Sequence, residues 1–219
     1  MELAKLDINN TSHIGIYVAL GKDKAIVPTS VSVSECKVIE KTLGVECLKH
    51  NIAESHLNGV LAKLYNNKVI LSKISGEEDI KFFESNGFEV LLLDQYFAVG
   101  NLFATNQKQV VLSKEFKSKS VKVIDEFLGV KAITFQVGQL PAIGSYLLVN
   151  KNGFAVAPSA TTQDIKKIES IFKVKGNIAT VNFGDGFIAN GMLLNDNGII
   201  VGRKTTGYEL IRITDILYN

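Results

Sequence analysis

One pattern occurs five times along this chain, and a fixed period of this length is the signature of an array or a ring. A small residue, Gly15, Gly59, Gly100, Gly144 or Ala189, stands at intervals of 44, 41, 44 and 45 residues. Six to nine residues after it comes a polar turn: Gly21–Lys24, Tyr65–Lys68, Asn106–Gln109, Asn150–Gly153 and Asn195–Gly198. Asn, Gly and Asp accept the positive φ of tight hairpins. Ten residues after the small residue an apolar run begins at Ala25, Val69, Val110, Phe154 and Ile199, and each run stops at Pro, Ser or Gly. Short β-branched and aliphatic runs on both sides of a turn predict a hairpin, with the small residue opening its first strand.

A helical pattern follows each hairpin. Ile165, Ile168, Ile171 and Phe172 give the clearest apolar stripe, over Thr161–Phe172, with Asp164 in the first turn. The others span Ser34–Leu43, Glu77–Asn86, Lys119–Leu128 and Tyr208–Leu217, and Gly44, Gly87 and Gly129 supply stop signals. A third strand follows each of the first four helices: Val45–Leu48, Phe88–Leu93, Val130–Phe135 and Val174–Val181. The fifth has none, but Leu3–Ile8 precedes Gly15 at the interval that the other third strands keep. The N-terminal strand is therefore expected to complete the fifth unit and close a ring, which removes the open sheet edges. The chain, 1–219, reads as one α/β domain of five strand–strand–helix–strand units, approximately 14–53, 58–98, 99–142, 143–184, and 188–219 with 2–8.

Composition excludes several classes of function. With 46% hydrophobic and 21% charged residues the chain is not disordered. The net charge of 24 − 22 = +2 is no polyelectrolyte signal, so a nucleic-acid contact would be local. Two cysteines suit a reducing compartment. The charged, alternating N-terminus lacks a signal-peptide core, and the uncharged run 132–150 is too polar and interrupted to span a membrane. The expectation is a cytoplasmic monomer with no membrane association.

Candidate chemical sites each have a plainer explanation. Cys36 lies among apolar helix positions and reads as a buried thiol. Cys47, His50 and His56 match no common zinc spacing. Gly184-Asp185-Gly186 is a turn lacking the third glycine of a phosphate loop. Glu77-Glu78-Asp79 fits the positive end of a helix dipole. Three basic groups (Lys114, Lys117, Lys119 and Lys122; Lys166, Lys167, Lys173 and Lys175; Arg203 and Lys204) are solvated faces or phosphate contacts, without the aromatic residues of a base-stacking platform.

The repeat register resembles the pentein fold, a closed five-fold ring. Along its whole length the chain also resembles the translation initiation factor 6 family. The matching segments are Ile14-Gly15, Gly100-Asn101, Leu140-Pro141 before Gly144-Ser145-Tyr146, Asn190-Gly191-Met192 with Asn195-Asp196, and Thr205-Thr206-Gly207-Tyr208-Glu209-Leu210. The archaeal type fits, since no tail like that of the eukaryotic members follows Asn219. Ala189 and Ala53-Glu54 depart from the glycine-rich family pattern. The resemblance implies a factor that binds the large ribosomal subunit and keeps the small subunit from joining it by occupancy. The partner is then a ribosomal protein, with ribosomal RNA phosphates at one of the lysine groups.

The residue after each small residue is Ile16, Val60, Asn101, Ser145 and Asn190. Mixed chemistry at symmetric positions suits an asymmetric partner, so Val60, Asn101, Ser145 and Asn190 are the candidate ribosome-binding residues. Two rivals remain: a guanidine-modifying enzyme of the pentein fold, and a ring that binds something other than ribosomes. The first wants a late Cys nucleophile and a His, but the last Cys is Cys47 and the last His is His56. No catalytic residue, metal, cofactor or small-molecule substrate is expected.

Overall fold

The computed structural model describes residues 2–95 and 98–218; Met1, Tyr96, Phe97 and Asn219 lie outside them. The chain opens with β1 (Glu2–Leu6). The first unit contains β2 (Ala19–Leu20), β3 (Lys24–Val27), α1 (Val33–Leu43) and β4 (Glu46–Lys49). The second has β5 (Ala62–Tyr65), β6 (Lys68–Leu71), α2 (Glu77–Ser85) and β7 (Glu89–Leu92). The third has β8 (Phe103–Thr105), β9 (Val110–Leu112), α3 (Ser118–Leu128) and β10 (Ile133–Thr134). The fourth has β11 (Leu147–Val149), β12 (Gly153–Val156), α4 (Thr162–Phe172) and β13 (Lys175–Ile178). The fifth contributes β14 (Met192–Leu194), β15 (Gly198–Gly202) and α5 (Gly207–Leu217).

These strands form five three-stranded sheets, one per unit. The middle strand pairs antiparallel with the first and parallel with the third. The fifth sheet takes its third strand from the other end of the chain: β1 runs parallel to β15, with Glu2 opposite Gly198 and Leu6 opposite Gly202. Lys5 Nζ donates to the Thr205 carbonyl and fastens the same seam. The expected closure is therefore present.

Local sequence explains the helix ends. Ser32, Thr161 and Thr206 accept the backbone N–H of Glu35, Asp164 and Glu209, whose carboxylates accept the cap N–H in return. Gly44 and Gly129 close α1 and α3 in the left-handed conformation. Lys173 does the same for α4 without the glycine. Middle strands are buried along their length, Ala25-Ile26-Val27 and Val69-Ile70-Leu71 for example, because a sheet covers one side and a helix the other.

One expectation needs correction. The small residues do not open the first strands. Each sits in a single helical turn just before its strand: Ile14–Ile16, Asn58–Leu61, Val99–Leu102, Ile143–Tyr146 and Ile188–Gly191. Each turn touches the turns of its two neighbouring units, and the last touches the first. The backbones meet so closely that a Cβ on Gly59 would stand 2.0 Å from the Gly15 carbonyl oxygen. A Cβ on Gly100 would be 1.8 Å from that of Gly59, and one on Gly144 2.1 Å from that of Gly100. Main-chain crowding at the axis is thus what selects glycine.

Candidate functional site

Strand direction gives the ring two chemically different ends. Middle and third strands run parallel from the hairpin tips, so the tips and the helix C-termini share one end. The helical turns, the loops after the third strands and the helix N-termini share the other.

The tip end is polar. Its five hairpins carry Lys22, Asp23, Asn66, Asn67, Asn106, Lys108, Lys151, Asn152, Asp196 and Asn197. They ring a cavity of about 530 Å³ on the axis. Gly15, Gly59, Gly100, Gly144 and Ala189 line its far end, and Lys63 reaches it from β5. Burial pulls the Lys63 pKa down to about 8.

The opposite end is apolar and basic. Leu57, Ile74, Leu140, Phe183 and Phe187 are exposed in its loops, and Val33 and Tyr208 are exposed in the first turns of α1 and α5. Phe183 and Tyr208 are 85% and 82% accessible, so two of the largest apolar groups pack on nothing. Lys114, Lys117, Arg203 and Lys204 are exposed in loops at this end. Lys166, Lys167, Lys173 and Lys175 lie elsewhere, along and after α4, and Lys175 pairs with Glu169 at 3.3 Å.

Two buried carboxylates hold loops of this end. Burial alone would raise the pKa of Glu209. The backbone N–H groups of Thr206 and Gly184 and the hydroxyls of Thr180 and Thr206 outweigh burial and keep it low. Glu209 also accepts from the N–H of Phe183, which stands at φ 71°. Asp79 does the same at the junction of the first and second units. It accepts from Gly76 N at 2.9 Å and Ala53 N at 3.1 Å, and His50 Nε2 lies 2.6 Å from it. Ala53 and Glu54 are left-handed, at φ 52° and 58°; this carboxylate holds the N–H of the first, and the Asn51 carbonyl accepts that of the second. Asp79 is therefore more than a dipole partner. The helix dipole places all three acids in the first turn of α2, as expected, but the pairing of Asp79 with His50 and Ala53 is one that only the fold brings together.

The four candidate contact residues lie on successive helical turns around the axis. Val60, Asn101 and Asn190 are half-buried, and Asn101 and Asn190 help line the cavity. Ser145 is only 2% exposed and is part of the packing between turns. Neither cysteine is near the axis. Cys36 is buried in α1, and the Cys47 thiol donates weakly to the Cys36 carbonyl, with burial and the neighbouring Cys36 and Glu40 raising its pKa well above normal. Among the described residues no His or Cys lines the cavity. Among the described residues no group of three His, Cys, Asp or Glu side chains is placed to hold a metal, and no helix is long and apolar enough to cross a membrane.

Known proteins with this arrangement fall into two sets. The N-terminal domain of the cyanobacterial arginine dihydrolase ArgZ superposes with a TM-score of 0.55 at 15% identity, covering 81% of this chain and 79% of that one. A dimethylarginine dimethylaminohydrolase gives 0.50 at 13% identity, covering 80% and 69%. At such identity the likeness concerns the fold alone, which is the pentein ring. Sequence relatives cover the whole length. The translation initiation factor 6 of Staphylothermus marinus is 35% identical over 219 residues, 97% of this chain and 96% of its own. That of Pyrobaculum aerophilum is 30% identical over 217 residues, 99% of each. The model of the eIF-6 family matches residues 3–216. With the five-unit ring, the N-terminal closing strand and full-length relatives in agreement, this chain belongs to the eIF-6 family of translation initiation factors.

Proposed function

We propose that the protein binds the large ribosomal subunit through the loop end of the ring and keeps the small subunit from joining it. The observation that carries this is the division of the surface. Exposed Phe183, Phe187, Tyr208, Leu57, Ile74 and Leu140 gather at one end, rimmed by lysines and an arginine, while the hairpin end is polar. Apolar anchors with a cationic rim suit a ribosomal protein bordered by RNA phosphates. The family's translational role and the archaeal relatives support the ribosome as the partner. Near the centre of this end, Asn101 and Asn190 offer hydrogen bonds and Val60 an apolar contact, with Ser145 supporting them from beneath. Inhibition of joining is steric: a ligand on one partner's docking face lowers the joining affinity by occupancy. No chemical step is involved. The protein acts as a cytoplasmic monomer without metal or cofactor, and a Cys-dependent guanidine chemistry is disfavoured because neither Cys36 nor Cys47 reaches the axis.

Sedimentation of the purified protein with separated subunits tests the proposal. Co-migration with the large subunit, together with loss of joined ribosomes when both subunits are mixed, is expected. Co-migration with the small subunit alone, or with neither, overturns it.

A further inference from the structure

The cavity on the ring axis opens away from the end assigned to the ribosome, and its lining breaks the five-fold pattern. The fourth residue after each small residue is Ala19, Lys63, Ala104, Leu148 and Leu193. Four of the five are apolar, all but Ala104 line the cavity, and the exception in chemistry is Lys63. Lys63 Nζ lies 5.9 Å from the centre of the Phe103 ring. Among the described residues it has no acid within ion-pair distance and no hydrogen-bond acceptor. An ammonium in such a place carries an unpaid desolvation cost, which an anion would relieve.

The rim has the same bias. Lys22, Lys108 and Lys151 stand on three different hairpin tips, and none is in an ion pair among the described residues. They face two acids, Asp23 and Asp196, and Asp196 already accepts the Lys151 backbone N–H at 2.8 Å. The remaining polar lining is largely amide, including Asn66, Asn106 and Gln107, which donates as well as accepts. A volume of about 530 Å³ is that of a small-molecule site.

We propose that the axial cavity binds a small phosphate compound, inorganic or organic, with its phosphate at Lys63 and the rim lysines drawing it in. Phosphate fits better than carboxylate. The cations among the described lining residues are lysines, point charges that suit the near-double charge and three acceptor oxygens of one phosphate group better than the single charge of a carboxylate. Cations at both the depth and the mouth also favour a multiply charged ligand. The site shares Asn101 and Asn190 with the proposed ribosome contacts, but its test uses the free protein without ribosomal subunits, so its failure is distinguishable from failure of that proposal.

Calorimetric titration of the full-length protein at low salt with pyrophosphate and with ribose 5-phosphate tests it, with citrate and arginine as comparisons. Both phosphates should bind and raise the melting temperature. Lys63→Met should weaken them by roughly tenfold or more, whereas Lys122→Met, on the outer helix α3, should change nothing. In the unmodified protein, pyrophosphate should protect the Lys63 amine, and not the Lys122 amine, from acylation read by mass spectrometry. Absence of phosphate binding in the millimolar range overturns the proposal. So does equal binding by Lys63→Met, equal loss in Lys122→Met, or tighter binding of citrate than of either phosphate.

Discussion

His50 Nε2 lies 2.6 Å from Asp79 Oδ1, joining the end of one unit to the first helical turn of the next. The imidazole is stacked on Phe82, with centroids 4.1 Å apart and planes at 8°. The same carboxylate accepts the N–H of Gly76 and of left-handed Ala53, so one side chain fixes a helix start, a strained loop and a histidine. Asp79→Ala should therefore destabilise the protein by about 1–3 kcal/mol, since three donors lose their acceptor at a buried site. Ala53→Gly should be neutral or stabilising, because glycine adopts φ 52° without strain. Denaturant unfolding of both variants checks this.

Glu209 makes a pH-dependent contribution of definite sign. Its folded-state pKa is held below the ordinary value, so the stabilisation is complete above the unfolded pKa of about 4.3 and is lost as pH falls through the folded one. Glu209→Gln should cost about 1–3 kcal/mol at neutral pH, and the gap to the parent protein should narrow on acidification. Urea midpoints measured from neutral to acid pH would show that convergence.

Lys63 acts in the opposite range. Its folded pKa of about 8 lies below the unfolded value of about 10.4, so charging it opposes folding below pH 8 and the penalty is relieved between the two values. Lys63→Met should be the more stable protein at pH 7, with the difference closing as pH rises to about 10. The comparison must be made between the two proteins. Burial, with Cys36 and Glu40 nearby, raises the Cys47 thiol pKa, and this lowers the stability of both as the unfolded thiol ionises.

The axial glycines should be intolerant of a single methyl group. Gly100→Ala places a Cβ 1.8 Å from the Gly59 carbonyl oxygen, a backbone atom that cannot step aside. A loss of about 3 kcal/mol or more is expected. Gly207→Ala, with no atom within 4 Å of the new Cβ at the start of α5, should be neutral or slightly stabilising. Thermal melting of the pair distinguishes crowding from a general need for glycine.

Under the proposed binding to the large subunit, Asn101→Trp or Asn190→Trp should weaken that binding by roughly 1–3 kcal/mol with little loss of stability. The salt dependence of binding should be shallow, with a slope of a few phosphates at most, because the net charge is only +2. Sedimentation binding curves at several salt concentrations give both quantities.

The periodic parts of the molecule were legible in the sequence because their causes are local. Expected and observed starts of α2 coincide at Glu77, and α1, α3 and α5 begin one residue before their apolar stripes suggest. Even the pairing of β1 with β15 could be read, because spacing alone exposed a missing third strand. What escaped depends on closure. The helical turns around Gly15, Gly59, Gly100, Gly144 and Ala189 exist because five backbones converge, and no window of sequence contains more than one of them. Lys63 carries no local signal, because only the closed ring places its strand beside a cavity. Asp79 and His50 are separated by 29 positions and carry no motif. Ser145 had the right chemistry for a contact, but its neighbours bury it.

The partnership of β1 with β15 also sets an order of events during synthesis. Glu2–Leu6 is made well before Gly198–Gly202, the strand it pairs with. Units one to four can each assemble their own sheet as they emerge, since all three strands of each are close in sequence. The fifth cannot, and until it does β1 waits with its hydrogen-bonding edge unpaired. The slow, long-range step of folding therefore waits until Gly198–Gly202 has been made, and a nascent chain that stalls before residue 198 carries an open ring with β1 as an adhesive strand.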